Sequence, residues 1–308
     1  MKSSSIAASV LWACGALAAP AGLSPRQTTN IDTTVLQFAL TLEHLENAFY
    51  HGAINNFTEQ DFMNAGYSAT YYNNLKYISV DEQSHVQLLS SALTAAGVTP
   101  NAACSYKFPY TDVKSFITLS SVLEGVGVSA YLGGAPLITS KAYLTVAGSI
   151  LVTEALHTSY QRANIGEVPM ANPYGTPLDP TSVYTLAAMF ITSCPASNAA
   201  LPFTAFPTLT YDSTASCWGG ESIKLTGAKD IPAGSYVTFI SGLSVVSVQG
   251  TISGADIMVE VPAVAMGQTY VFITSKDIEG TFVDANVVFG PAIIEVAPPA
   301  PVINDSIV

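Results

Sequence analysis

The chain has 308 residues, with 10 Lys or Arg against 22 Asp or Glu, a formal charge of −12 and a pI near 4.5. Charged residues make up only 10% and hydrophobic ones 49%, enough apolar material for a sizeable core and too much for a disordered chain. The acidic balance argues against nucleic acid and anionic membranes as partners. After the N-terminal segment, no uninterrupted apolar run reaches the roughly 18 residues of a membrane span, despite a mean hydropathy of +0.38.

In chain order, Lys2 precedes an apolar stretch from Ile6 to Ala19 that ends in small residues. Ala16-Leu17-Ala18 has the small-x-small form of a signal-peptidase site, so residues 1–19 are predicted to be a signal peptide and the protein to be extracellular or wall-associated. In that setting Asn56-Phe57-Thr58 and Asn304-Asp305-Ser306 become candidate glycosylation sequons at Asn56 and Asn304. Loss of the signal removes Cys14 and leaves Cys104, Cys194 and Cys217. That odd count predicts one disulfide and one leftover thiol. Cys104–Cys194 is the preferred pair, both being placed at helix edges in one domain, and Cys194–Cys217 is the alternative.

From Thr33 to about Ser193 the pattern is helical. Val35, Phe38, Leu42, Leu45 and Phe49 recur at three and four, as an amphipathic helix requires. A second helix is predicted from about Ala69 to Ala96, ended by Gly97 and Pro100. A third follows a Thr111-Asp112 cap to about Leu132, and a fourth runs from about Ser140 to Ala163. A shorter fifth is predicted over Thr181–Ser193. Phe203–Ser216, rich in Pro and Thr, reads as a linker. Beyond it, short β-branched and aromatic runs (Tyr236–Ile240, Ser244–Val248, Ile257–Val261, Tyr270–Thr274, Val287–Phe289, Ile293–Val296) alternate with turn residues, predicting a small β-sandwich of immunoglobulin-like kind. The chain therefore reads as α+β. A four-helix bundle with a fifth short helix occupies 30–207, the sandwich 208–296 and a flexible tail 297–308.

Of the four His in the chain, two follow a Glu by three residues, in Glu82-Gln83-Ser84-His85 and Glu154-Ala155-Leu156-His157. On a helix such a pair lies on one face and can grip a metal from one side. Both pairs continue apolar stripes, Leu75–Ile78–Leu89 and Ala147–Ile150, which places them on the buried seam. The other two long helices each supply one Glu on an apolar stripe: Glu43, in line with Ala39 and Tyr50, and Glu124, in line with Ile117, Val128 and Tyr131. A buried carboxylate is costly unless paired or metal-bound. One Glu from each of two helices plus Glu-x-x-His from each of the other two is the ligand set of di-iron and di-manganese carboxylate bundles. Four hard carboxylates and two imidazoles suit two Fe or two Mn ions rather than Ca or Mg. Glu46 reads as a solvated Glu or a neighbour of the ligands, and His44 and His51 as surface or loop residues.

These residues resemble the ferritin-like superfamily with a rubrerythrin-type ligand arrangement. Leu42-Glu43-His44-Leu45-Glu46-Asn47-Ala48-Phe49-Tyr50 and the stretch Val122-Leu123-Glu124-Gly125-Val126-Gly127-Val128-Ser129-Ala130-Tyr131-Leu132-Gly133 are similar to a secreted fungal ferritin-like family. Its members carry stress-response or late-sexual-development labels, and plant desiccation-related proteins are similar too. The resemblance covers about residues 30–207. It implies that the helix-one ligand lies seven residues before a Tyr, which selects Glu43 with Tyr50 over Glu46. It also implies that Asp81, directly before Glu82, orients a ligating His across the site. The second pair has Thr153 at the matching place.

The function expected from this set is a secreted redox protein that handles O2 or hydrogen peroxide. Glu82, Glu154, His85 and His157 would anchor the ions, Glu43 and Glu124 would shift between bridging and terminal modes, and Tyr50, Asp81 and Tyr131 would stand beside the ligands. A structural protein that binds cell-wall glycan through the sandwich and a metal scavenger without turnover are the competing expectations.

Overall fold

The computed structural model describes residues 31–213 and 215–307; the expected signal peptide lies outside the described residues. Six α-helices come first: α1 (Ile31–Asn56), α2 (Glu59–Asn64), α3 (Ala69–Ala95), α4 (Val113–Gly134), α5 (Lys141–Ile165) and α6 (Pro180–Ala188). Their starts are written in side chains that accept a hydrogen bond from an otherwise unpaired first-turn amide. Ser68 caps α3, Asp112 caps α4, Ser140 caps α5, and Asp179 caps α6 with Pro180 at its first position. The short α2, not anticipated from the sequence, begins with a capping box between Thr58 and Asp61.

The four long helices share one layout. An aromatic cluster including Phe49, Phe62, Tyr71 and Phe116 fills one end of the bundle, and an aliphatic cluster including Leu36, Leu40, Leu89, Leu93 and Ile150 fills the other. Each helix carries its Glu between these two clusters. Helices α1 and α5 run from the aliphatic to the aromatic end, whereas α3 and α4 run the opposite way. Because α3 and α4 are parallel, residues 96–112 must cross the length of the bundle, a long crossover of the kind found in ferritin-like bundles. That crossover is pinned at several points. Gln37 donates to Thr99 O and its carbonyl accepts from Asn101 N (2.6 and 2.9 Å). Strand β1 (Ser105–Tyr106) pairs with β2 (Ile191–Ser193), and Cys104 is bonded to Cys194.

Two sequence expectations are corrected here. The fifth predicted helix stops at Ala188, and the β-branched Ile191 and Thr192 form β2 instead. The disulfide therefore joins the ends of a two-stranded ribbon rather than two helix edges. Cys217 is the buried free thiol.

The C-terminal region is a sandwich of two sheets. Its strands are β3 (Leu209–Thr210), β4 (Cys217–Trp218), β5 (Ser222–Gly227), β6 (Tyr236–Ser241), β7 (Ser244–Gln249), β8 (Thr251–Ser253), β9 (Asp256–Glu260), β10 (Gly267–Thr274) and β11 (Val287–Ala297). One sheet has the order β4-β11-β10-β6-β7 and the other β3-β5-β9-β8. All pairings are antiparallel except β4 with β11. The two runs expected at Val287–Phe289 and Ile293–Val296 are one continuous strand, and the predicted linker contains β3.

The sandwich does not hang from the bundle; its five-stranded sheet packs against it. Ile240, Tyr270 and Phe272 share a core with Phe38, Val126, Leu178, Val183 and Leu186 of the helical part. This is why β10 reads as a continuous apolar run: its residues are covered on both faces. Linker residue Phe203 packs against Phe38 with the rings tilted by 53° and their centroids 4.7 Å apart. Gly125 of α4 lets Gln268 approach, since a Cβ there would lie 2.4 Å from Gln268 Oε1. From that position Gln268 donates to Val122 O (3.2 Å) and Tyr270 OH donates to Gly125 O (3.1 Å). Helix α4 with its following turn is long and apolar enough to cross a membrane by composition, yet 56% of its most apolar window is buried in this fold.

One charged contact ties the two parts together. Arg162 at the end of α5 donates through both terminal nitrogens to Glu295 on β11 (2.8 and 2.6 Å), with side chains only 6% and 22% exposed. Removing one partner of a buried pair strands the other charge, whereas replacing both does not. Arg162→Met is expected to lower unfolding free energy by about 3 kcal/mol, and Arg162→Met/Glu295→Met to recover most of that loss. Equilibrium chemical denaturation of the two variants checks this.

Candidate metal centre

Helical phase brings the six expected residues to one level. Glu82 and His85 face inward from α3, Glu154 and His157 from α5, Glu43 from α1 and Glu124 from α4, and none is more than 7% exposed. Their donor atoms form two groups, each with all atoms within 4.8 Å of one another: Glu43, Glu82, His85 and Glu154, and Glu82, Glu124, Glu154 and His157. Glu82 and Glu154 belong to both. This differs from the sequence expectation for the two single carboxylates. Glu43 and Glu124 each belong to one side only, and the shared carboxylates come from the Glu-x-x-His pairs.

The ring nitrogens are aimed at the centre. His85 Nδ1 lies 3.2 Å from Glu43, 3.4 Å from Glu82 and 3.3 Å from Glu154. His157 Nδ1 lies 3.1 Å from Glu82 and 3.4 Å from Glu124, without hydrogen-bond alignment to either. Its other nitrogen, Nε2, lies 3.2 Å from Asp81 Oδ2. With Nε2–H donated to that carboxylate, Nδ1 is the nitrogen that faces inward, and a bound metal would displace the proton it carries. Asp81 sits on α3 and His157 on α5, so the support does run across the site. Among the described residues no matching carboxylate stands behind His85, where α5 carries Thr153.

The single carboxylates are fixed from outside. Tyr50 donates to Glu124 and Tyr131 donates to Glu43. Tyr50 OH also lies 2.7 Å from Ser120 Oγ and accepts from Gln161 Nε2 at 3.3 Å. Gln161 in turn accepts from Tyr71 OH at 2.5 Å. Gln161, Tyr71 and Ser120 were not singled out in the sequence; the spacing of Gln161 four residues after His157 was the available signal.

Toward the centre, by contrast, His85 Nδ1 bonds to Glu43 Oε2 at 3.2 Å, but most of the other facing atoms have no partner. Both oxygens of Glu82 and of Glu154, Glu124 Oε2 and His157 Nδ1 are buried without a hydrogen-bond partner. Desolvation, the largest cause, raises the Glu82 carboxyl to about 7, and burial with the neighbouring Glu82 charge pushes Glu154 well above the carboxylate range. Burial opposes the His157 cation, but Glu124 and Glu82 outweigh it and hold its pKa at about 11. Such orphaned, inward-facing oxygens and nitrogens are what a pair of bound cations would satisfy, so the residues present fit the expected metals.

Glu46 departs from the solvated reading. It is 5% exposed, and burial together with Glu154, Glu82, Glu43 and Glu124 raises its carboxyl strongly. Its carboxylate fits only because residue 127 is glycine, where a Cβ would lie 2.9 Å from Glu46 Oε1 and 2.6 Å from Glu154 Oε2. The i, i+3 relation to Glu43 was the signal for its inward direction. His44 is half-buried, with Nε2 3.0 Å from Asn101 O, while His51 is exposed. Asn56 and Asn304 are exposed as well.

Residues 31–167 match the family model described as the ferritin-like domain. The chain is 28% identical over 183 residues to protein rds1 of Schizosaccharomyces pombe, covering 59% of this chain and 44% of that protein. It thus spans less than half the length of that curated relative. Among solved structures, a conserved hypothetical protein, rv2844, of Mycobacterium tuberculosis is similar with a TM-score of 0.38 and 17% identity, over 47% of this chain and 96% of that one. The helical region of this protein is ferritin-like, with buried acid–histidine clusters compatible with a metal site, and is followed by a sheet-rich C-terminal region.

Proposed function

We propose that the centre holds two Fe or two Mn ions and that the protein is a secreted oxidoreductase acting on O2 or hydrogen peroxide. The observation that carries this reading is the pair of four-residue groups that share Glu82 and Glu154, with the oxygens of both shared carboxylates, Glu124 Oε2 and His157 Nδ1 left without hydrogen bonds. Four carboxylates balance the charge of two divalent ions without calling on His protonation. In this reading Glu43 and His85 would hold one ion and Glu124 and His157 the other, with Glu82 and Glu154 within reach of both. Two such ions, when bound, supply a concerted two-electron change, enough to reduce O2 or to disproportionate peroxide.

The chain's own contribution is positioning and exclusion of water. Tyr131 and Tyr50 hold Glu43 and Glu124 by donated hydrogen bonds, and Asp81 holds His157 with Nδ1 facing inward. The aromatic and aliphatic clusters close both ends of the bundle. A stress-linked or developmental role is supported only by the labels of the similar fungal family, an analogy of fold rather than of site.

Two outcomes follow. Protein expressed in Fe- or Mn-supplemented medium is expected to carry near two metal ions per chain by elemental mass spectrometry and to consume peroxide or O2. Glu82→Ala/Glu154→Ala should lose both properties. Full metal occupancy in that variant would contradict the assignment.

The second concerns pH. In the metal-free protein the raised carboxyl values mean that protons are held when folded and released when unfolded. The Glu82 contribution is thus present below the unfolded glutamate value and lost as pH rises toward about 7. That of His157 is present below the unfolded imidazole value and lost as pH rises toward about 11. Both signs agree, so the metal-free protein should melt at progressively lower temperature from pH 5 to pH 9. Metal displaces these protons, so the gap in Tm between loaded and metal-free protein should widen over the same range. Scanning calorimetry at several pH values checks this, and a constant gap would count against it.

A further inference from the structure

A cavity of about 530 Å³ opens between the bundle and the sandwich. Its walls are Leu42 and Leu45 of α1, Val122 and Val126 of α4, Phe206 of the connection and Ile293 of β11, and its inner end is formed by Glu46 and Gly127. Its size is in the range of small-molecule sites, which are mostly apolar with a few placed polar groups. Here the placed polar group is Glu46. Its side chain is buried, lines the cavity, and receives no hydrogen bond from the described residues.

The inner end touches the centre itself. Glu154, one of the two carboxylates common to both ligand groups, comes within 2.6 Å of where a Cβ on residue 127 would stand. Glycine is a poor helix residue, costing about 1 kcal/mol against alanine. At position 127 its missing side chain leaves room between cavity and centre that the Glu46 and Glu154 carboxyl groups both approach. Among the described residues no Lys, Arg or His lines the cavity, and Asp212 and Glu46 are its acidic groups. An anionic ligand would meet these carboxyls with no counter-charge, and a cation would lose most of its hydration against hydrocarbon walls.

We propose that this cavity binds a small, neutral, largely apolar organic molecule carrying one hydrogen-bonding group, which Glu46 receives beside Gly127, and that it is the substrate pocket of the centre. The role at its inner end rests on the dinuclear reading; the binding itself does not require metal. The sandwich is thereby part of the site, because β11 and the connection after α6 build the outer wall that the four-helix bundle lacks.

The test uses full-length protein and a neutral fluorescent probe, N-phenyl-1-naphthylamine, with four competitors of matched shape: butylbenzene, 4-butylphenol, 4-butylbenzoate and 4-butylbenzylamine. The probe should bind saturably at one site per chain. Butylphenol should displace it at least tenfold better than the benzoate and better than the amine. Ala205→Trp, at an exposed lining position, should weaken probe binding at least tenfold without changing metal content. Glu46→Leu should keep probe binding and erase the preference for butylphenol over butylbenzene.

Absent saturable binding in folded protein would overturn the proposal, as would binding unaffected by Ala205→Trp. Benzoate or amine displacing best would overturn the neutral-ligand assignment. Saturable, Ala205→Trp-sensitive binding in a protein that takes up no metal would keep the cavity as a ligand site and overturn only the dinuclear reading. Two metal ions per chain without probe binding would do the reverse.

Discussion

Five glutamates buried at one level of a helical bundle are the constraint on which the rest of this structure depends. Glu43, Glu46, Glu82, Glu124 and Glu154 are each 5% exposed or less, and taking one carboxylate out of water costs several kcal/mol even after relaxation. Two histidines can offset only part of that charge. The surroundings look organised around this cost. Tyrosines donate to Glu43 and Glu124 from the outside, Asp81 turns His157 inward, and the unpartnered atoms of Glu82, Glu124, Glu154 and His157 face one place. A bundle that needed only stability would fill this level with leucine.

The same level explains the architecture on either side. The Glu-x-x-His pairs sit on α3 and α5 and the single glutamates on α1 and α4, and α3 and α4 run parallel. The long crossover follows from that, and so does its fastening by Gln37, the β1–β2 ribbon and Cys104–Cys194. The sandwich then covers the α1–α4 side, where Gly125 and Gly127 thin the helix for two different visitors. Gln268 reaches the backbone at the first, and Glu46 meets Glu154 at the second. The Gly-rich stretch of α4 is thus a record of close approaches rather than of flexibility.

Much of this was legible in the sequence because it is local. The two Glu-x-x-His pairs, the apolar stripes around Glu43 and Glu124, and caps such as Asp112 and Ser140 are written within one or two turns of helix. The long helices and the six clustered residues follow from them. What the sequence did not disclose depends on residues far apart in the chain. Ile191–Ser193 is a strand because residues 105–106 and a disulfide wait for it. Phe203–Thr210 is packed because Phe38 and β5 are there to receive it. Glu46 looked like a solvated helix residue because the gap that admits it is made by a missing side chain on α4, and the sheet that walls its cavity lies more than 150 residues further on.

The central claim is that two ions share Glu82 and Glu154. Anomalous diffraction at the iron and manganese edges, on crystals grown from metal-loaded protein, tests it most directly. The account expects two anomalous peaks about 3.5–4 Å apart, one beside Glu43 and His85, the other beside Glu124 and His157, with Glu82 and Glu154 between them. A single peak, or two peaks that do not share those carboxylates, would contradict it.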